Sequence, residues 1–102
     1  MALDLVVLGP DGRPVRSVAL NVEVHGELME AALSQKHACF PRLGDYYQDV
    51  EFSPDQLRDL SSEAKALRGS DVRAELCAFL DDVLDLVAFA GAENRSIHAV
   101  AD

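Results

Sequence analysis

The first third of the chain carries apolar residues in patterns typical of strands. Residues 2–8 are apolar and rich in β-branched side chains, which predicts a strand. Turn formers fill residues 9–14, and apolar residues then take every second position from Val18 to Val24. This pattern predicts a β-hairpin of residues 2–8 and the alternating segment 18–24, with a loop of about five residues among the turn formers.

Two segments further along repeat their apolar residues at helical spacing. The first helix is expected to begin around His25 and to end near Lys36 and His37, where basic side chains suit the helix dipole. The second begins at Ser53-Pro54-Asp55-Gln56, a capping box with proline at the first helical position, and Gly69 suits its C-cap. The two apolar stripes are Leu28, Met29, Ala32 and Leu33 in the first helix, and Leu57, Leu60, Ala64 and Leu67 in the second.

The third helix is the most apolar element of the chain. Ser70 or Asp71 is expected to cap it, and Gly91 to stop it after Ala90. Apolar residues cover more than half of its circumference, so the 71–90 helix should be central and contacted on two sides. Short strands are predicted at about 49–52 and 96–100.

Together these elements predict one α+β domain, residues 1–102. An N-terminal β-hairpin and the short strands would form a small antiparallel sheet, and three helices would pack on one face of it. Nearly half of the residues are apolar, so the chain has the composition of a folded domain and not that of a disordered acidic tail.

Charge changes this picture, because the acidic residues are concentrated in two stretches. The net charge is −9, with 18 acidic against nine basic residues. Residues 1–44 have a net charge of −1, whereas residues 45–63 and residues 71–102 each have −5. A surface of this sign repels nucleic acid and anionic membranes and attracts basic partners. We therefore expect a protein partner, with no direct contact to nucleic acid or membrane.

The sequence offers no recognisable cofactor or catalytic motif. It has no glycine-rich phosphate loop, no C-x-x-C and no H-E-x-x-H, and no cofactor is expected. The N-terminus lacks the features of a secretory signal and no stretch is long enough to span a membrane, which favours a cytoplasmic protein. Cys39 and Cys77 are then expected to be reduced, buried and hydrophobic in character.

Three groups of polar residues are candidates for a metal site or a catalytic site. Asp81, Asp82 and Asp85 lie on one helix and could hold a divalent ion, but a solvated acidic face is the expected reading. Glu27 and Glu30 beside His25 could serve acid–base chemistry, but no nucleophile accompanies them in the sequence, and a solvated helix face is expected. His37 and His98 are isolated. The expectation is that this protein is not an enzyme.

Residues 45–59 are the most distinctive candidate for a binding surface. Aromatic and acidic side chains alternate there, and tyrosine is enriched in interface hot spots. Neighbouring carboxylates suit the arginine and lysine side chains of a partner. An ordinary alternative is that the tyrosines cover the core while the acids face water. The predicted partner-binding residues are Asp45, Tyr46, Tyr47, Asp49, Glu51, Asp55 and Asp59.

Three segments give the chain a resemblance to a known class of protein. They are the hairpin LDLVVLGPDGRPVRSVAL, the middle segment RLGDYYQDVEFSPDQLRDL and the closing SIHAVAD. In these the chain resembles the small immunity proteins of bacterial polymorphic toxin–immunity systems of the swarming-inhibition type. The resemblance implies an intracellular protein that binds and blocks one cognate toxin in kin discrimination. A basic toxin, for example a nuclease, would suit the acidic surface.

Other functions fit the same sequence features. An acidic adaptor or regulatory module without a toxin partner would also use a charged surface and a tyrosine-rich segment. A small hydrolase or metal-dependent enzyme would require a pocket that collects carboxylates. Acidity could also serve solubility alone. An exposed part of the apolar third helix would favour a homodimer.

Overall fold

A computed structural model describes residues 3–45 and 48–101. The predicted α+β class is confirmed: within these residues a four-stranded antiparallel sheet packs against three helices. The strands are β1 (Leu3–Leu8), β2 (Pro14–Leu20), β3 (Val50–Phe52) and β4 (Ile97–Ala101), and the helices are α1 (Val22–Ser34), α2 (Leu57–Arg68) and α3 (Ala74–Ala92). Short 3-10 turns cover Phe40–Leu43 and Pro54–Gln56.

The strands lie in the order β2-β1-β4-β3, so the last strand enters between the first and the third. β1 is central and pairs with both β2 and β4, while β2 and β3 form the two edges among the described strands. Side chains alternate between the two faces, and Leu3, Leu5 and Val7 belong to the core beneath the helices. Asp4 and Val6 therefore lie on the opposite face, where Asp4 is half-buried and Val6 is buried.

The predicted central helix is confirmed as α3, which packs against α1, α2 and β2. Seven of its side chains are buried, and Leu80 and Val83 have no exposed surface at all. Burying an aliphatic side chain contributes about 1.5–3 kcal/mol. This helix is therefore a main source of stability for the whole domain.

The boundary between the hairpin and α1 differs from its prediction. β2 begins at Pro14 and ends at Leu20, whereas the alternating pattern predicted residues 18–24. Asn21 is the N-cap of α1, and its side-chain oxygen accepts the Val24 N–H at 2.8 Å. Val22 and Val24 thus belong to the first helical turn, because a local capping bond overrides a period-two pattern of only four residues.

The end of α1 also differs from its prediction. The helix stops at Ser34, and Lys36 takes a left-handed conformation with φ of 58°. Lys36 and His37 therefore lie beyond the helix, and its last turn carries no basic residue. Leu33, expected in the apolar stripe, is 63% exposed, whereas Val24 and His25 are buried in its place.

The apolar stripe and the C-terminal end of the second helix follow their predictions, whereas the predicted start at Ser53-Pro54 leads into the 3-10 turn Pro54–Gln56 and α2 begins at Leu57. Leu57, Leu60, Ala64 and Leu67 are all buried, and Gly69 is the C-cap. Gln56 Oε1 accepts the Ser53 N–H at 2.9 Å, the return bond of the predicted capping box. Strong local signals at both ends explain this agreement.

The ends of the third helix differ from their predictions. The N-cap of α3 is Arg73 in an extended conformation without a side-chain capping bond, not Ser70 or Asp71. Ser70 instead donates its hydroxyl to the Leu67 carbonyl at the end of α2. Gly91 lies inside the last turn, and the chain reverses at Asn94, whose φ is 52°.

Candidate protein-binding surface

The structure distributes the predicted binding residues over several elements. Asp45 is exposed directly after the 3-10 turn Phe40–Leu43, and Tyr46 and Tyr47 fall outside the described residues. Asp49 and Glu51 flank the start of β3 at one edge of the sheet. Asp55 and Asp59 are exposed at the beginning of the α2 segment. The acidic segment therefore runs from a sheet edge to the N-terminal end of a helix.

Asp49 and Glu51 both bind other parts of the domain. Asp49 Oδ1 accepts the Ala101 N–H at 2.8 Å, and Glu51 Oε2 accepts the Ser96 hydroxyl at 2.8 Å. Both bonds attach β3 to β4 and its approach. An ionised carboxylate has about four acceptor positions, so each group can still bind a partner. The two hydrogen bonds to the domain, however, already fix the positions of both carboxylates.

Asp55 and Asp59 have a different environment. Asp55 lies in the 3-10 turn and Asp59 in the first turn of α2, one helical turn apart. Negative charges near a helix N-terminus are stabilised by the helix dipole by about 0.3–1 kcal/mol. Neither has a hydrogen bond or ion pair within residues 3–45 and 48–101. These two carboxylates are oriented toward solvent.

A buried carboxylate that the sequence analysis missed holds the loop leading into this segment. Glu63 accepts the backbone N–H groups of Ala38, Cys39 and Phe40 at 3.1, 2.8 and 3.1 Å. Burial alone would raise the pKa of Glu63, but these N–H bonds outweigh it and lower the pKa below its ordinary value. Three bonds to one ionised carboxylate fix the start of the 3-10 turn.

A sequence signal for Glu63 does exist. Glu63 follows Leu60 by three residues and precedes Leu67 by four, so it shares the apolar stripe of α2. A charged residue on a buried stripe requires partners, and here the partners are backbone groups of a loop distant in sequence. The stripe alone therefore indicated burial, but not the identity of those partners.

The same loop is held at its other end. His25 Nε2 lies 2.6 Å from the Leu43 carbonyl oxygen in a buried contact. Arg42 donates to the Glu51 carbonyl at 2.9 Å, and its guanidinium stands 4.8 Å from the centre of the Phe52 ring. His25 is thus a structural residue. The acidic segment starts from a loop that α1, α2 and β3 hold in place.

The two cysteines differ in environment. Cys39 is buried as predicted, whereas Cys77 is only half-buried. Burial, together with the neighbouring Glu63 carboxylate, raises the pKa of the Cys39 thiol to about 11. Cys39 is therefore protonated near neutral pH, which makes it a poor nucleophile.

A second acidic surface lies at the opposite edge of the sheet. Asp82 and Asp85 of α3 line a groove against β2, and Glu75 extends the same wall. Within the described part of the chain, Asp82 and Asp85 have no hydrogen-bond or ion-pair partner. Asp81, by contrast, lies 2.9 Å from Arg68 Nε. Although the three aspartates are neighbours in the sequence, only Asp82 and Asp85 face β2.

The candidate metal and acid–base groups are dispersed in the fold. No group of three potential metal ligands occurs among residues 3–45 and 48–101. Glu27 is half-buried, with Oε1 3.2 Å from Arg73 Nη1, while Glu30 is exposed. The predicted solvated helix face thus holds for Glu30 but not for Glu27 or His25.

Most of the arginines are occupied within the molecule. Six of the seven contact an acid, a ring or a carbonyl in the described structure. Arg16, for example, stands 4.4 Å from the centre of the Phe89 ring, and Arg95 donates to the Leu8 carbonyl. Since acidic residues outnumber basic ones by 18 to nine, the charge that remains available to a partner is mainly negative.

No family model, curated protein or solved structure matches this chain. Among the described residues, no helix is long and apolar enough to cross a membrane.

Proposed function

We propose that this protein binds and neutralises a basic protein toxin, as an immunity protein that acts in the cytoplasm. The observation that carries the proposal is the unequal use of its charges. Arginines are engaged in internal contacts, whereas Asp55, Asp59, Asp82 and Asp85 have no partner in the described structure. An excess of unpaired carboxylates attracts a basic surface and repels nucleic acid.

The resemblance to immunity proteins of polymorphic toxin systems supplies the class of partner. A nuclease toxin fits best, because a protein that binds nucleic acid carries a basic surface that an acidic inhibitor can cover. Residues Asp45, Tyr46, Tyr47, Asp49, Glu51, Asp55 and Asp59 remain our predicted contacts.

The loop that precedes the predicted contact residues is held in place by hydrogen bonds. This supports a role of those residues in binding. Association loses less entropy when the contacting segment is already ordered. Glu63, His25 and Arg42 fix residues 38–44 through buried or well-directed bonds. The acids that follow start from a defined point, and two of them are further oriented by β4.

The test is co-expression with the product of the adjacent reading frame. That product should be toxic when expressed alone, and this protein should restore viability and co-purify with it. Asp55→Asn/Asp59→Asn should bind more weakly than a control with the same net charge, Asp71→Asn/Glu93→Gln. A complex without toxicity would support the adaptor function instead, and absence of both would reject the proposal.

A further inference from the structure

The edge strand β2 has one side without a pairing strand among the described residues. It has seven residues and pairs with β1 alone among the described strands. In an edge strand, every second residue directs its N–H and C=O away from the paired strand. These groups of β2 can therefore form hydrogen bonds with another strand. Proteins normally protect such edges with proline, bulges or charge.

The proline and the irregular pairing of β2 lie at its hairpin end, and Arg16 is the one charged residue of the strand. Pro14 begins the strand, and the ladder shifts register between Val7 and Leu8. From Arg16 to Ala19 the pairing with β1 is regular, and Ser17 and Ala19 are exposed. Among the described strands, none pairs with this stretch on the side away from β1.

The groove beside this stretch has an apolar floor and an acidic wall. Val18, Leu86 and Phe79 lie along it, and Asp82 is common to its two halves. Asp85 and Glu75 continue the wall in opposite directions. Arg16 is a cation at one end, and Glu75 lies 3.4 Å from Arg73, so Asp82 and Asp85 carry the uncompensated charge.

We propose that β2 accepts an extended basic segment of the partner as a fifth strand, with lysine or arginine side chains directed toward Asp82 and Asp85. Strand side chains alternate, so every second residue of that segment would face α3. The side chains of the other residues would point toward the opposite face of the sheet. The expected signature in the partner is therefore a short segment with basic residues at every second position.

Charge favours a basic segment of the partner over a second copy of the chain as the strand that pairs with β2. Two copies paired through β2 would each bring Asp82 and Asp85 toward the junction, and each molecule has a net charge of −9. Like charges placed together oppose such pairing. A basic segment instead satisfies the backbone edge and the acidic wall at once.

This inference rests on the proposed function in one respect, the basic character of the partner. The two acidic edges are three strand spacings apart, roughly 14 Å. A standard interface buries about 800 Å² on each side. One partner can therefore contact residues 45–59 at the β3 edge and also pair with β2.

The test uses a synthetic peptide of about eight residues, the length of a strand, with alternating lysine and valine. Its binding is followed by fluorescence anisotropy, and amide hydrogen exchange locates it. We expect added protection at every second amide of residues 15–19 and none in residues 50–52. A peptide with glutamate in place of lysine should not bind.

Two double variants with the same net charge test whether the position of the removed carboxylates, and not net charge alone, affects peptide binding. Asp82→Asn/Asp85→Asn and Asp71→Asn/Glu93→Gln both change the net charge from −9 to −7, and all four residues are exposed. The first pair should weaken peptide binding about tenfold, and the second less than about twofold. Equal weakening, or protection outside β2, would overturn the inference.

The outcomes also distinguish this inference from the proposed function. Neutralisation of the toxin with full affinity by Asp82→Asn/Asp85→Asn would reject the β2 site and leave the immunity function in place. Peptide binding at β2 without any toxic neighbour would reject the immunity function and leave the strand-accepting site. Self-association of the protein that protects the β2 amides would assign the edge to a second copy and overturn the inference.

Discussion

The two edges of the sheet carry similar charge but use it differently. At the β3 edge, Asp49 and Glu51 bind Ala101 and Ser96, so they hold the sheet together. At the β2 edge, Asp82 and Asp85 have no partner in the described structure. Residues 45–63 and 71–102 each have a net charge of −5, yet that equal net charge does not reveal which acids are structural.

The strands themselves differ in the same way. β3 is three residues long and follows a loop held by Glu63, His25 and Arg42. β2 is seven residues long with regular pairing over most of its length. A short edge offers few backbone groups to a partner, whereas a long one offers several. The β3 edge is thus suited to side-chain contacts and the β2 edge to backbone contacts.

The largest expected effect comes from removing the support of the β3 edge. Glu63→Ala leaves three N–H groups of residues 38–40 without their acceptor, and those of Cys39 and Phe40 are in buried bonds. The cost is about 1–3 kcal/mol for each group that water cannot reach. We expect a loss of at least about 3 kcal/mol in the free energy of unfolding, measured by urea denaturation. The exposed Glu30→Ala should change it by less than about 0.5 kcal/mol. A small loss for Glu63→Ala would show that the loop is not held by this carboxylate.

The lowered pKa of Glu63 predicts the pH dependence of the same contribution. Its pKa in the folded protein is below the ordinary value of 4.5. Such a group stabilises the fold above its unfolded pKa, and the stabilisation is lost as pH falls through the folded pKa. The stability of the wild type should therefore fall more steeply below about pH 4.5 than that of Glu63→Gln. Parallel curves for the two proteins would contradict this assignment.

The predicted hot spot gives the next effect. Tyr47→Ala should weaken binding of the toxin by more than about 1 kcal/mol while leaving the melting temperature unchanged. Calorimetric titration measures the first quantity and thermal unfolding the second. Unchanged affinity in a folded variant would remove residues 45–59 from the interface and leave the β2 edge as the remaining candidate.

Single alanine substitutions compare the two kinds of acid directly. Asp49→Ala removes an acceptor from the Ala101 N–H and should destabilise the domain by about 1 kcal/mol. Asp82→Ala removes an exposed side chain without a described partner and should stay within about 0.5 kcal/mol of the wild type. Denaturant unfolding of both variants checks the difference. Equal effects would mean that the Asp49 contact contributes nothing to stability.

The smallest expected effect concerns the rate of association with the partner. Steering by exposed acids should make association with a basic partner several-fold slower at about 0.5 M salt than at about 0.05 M, with dissociation changed less. Stopped-flow mixing at both salt concentrations measures this. Association that is independent of salt would show that the unpaired carboxylates do not guide binding.

Local signals in the sequence were sufficient for much of the fold. The second helix was predicted with its stripe, its capping box and Gly69, because all of these interactions lie within a few residues of each other. The α+β class and the central third helix followed from apolar periodicity. The strand predicted through Val24 failed because Asn21 caps a helix there, and a cap competes with only a short alternating pattern.

The candidate site was predicted only in part. The sequence placed acids in residues 45–59, and the structure places Asp49 and Glu51 at the sheet edge with bonds to residues about fifty positions away. The sequence did not reveal that Asp82 and Asp85 face β2, because that depends on how α3 crosses the sheet. Nor did it identify the partners of Glu63.

The amino-acid sequence by itself determined the net charge, the helices and strands and the apolar faces that must be buried. The tertiary structure alone decided the strand order β2-β1-β4-β3, the identity of the edges and the division of carboxylates into bonded and unbonded groups. The physical reason is the range of the interactions. Helical periodicity and capping act over one or two turns, whereas strand pairing and buried hydrogen bonds join groups that only the folded chain brings together.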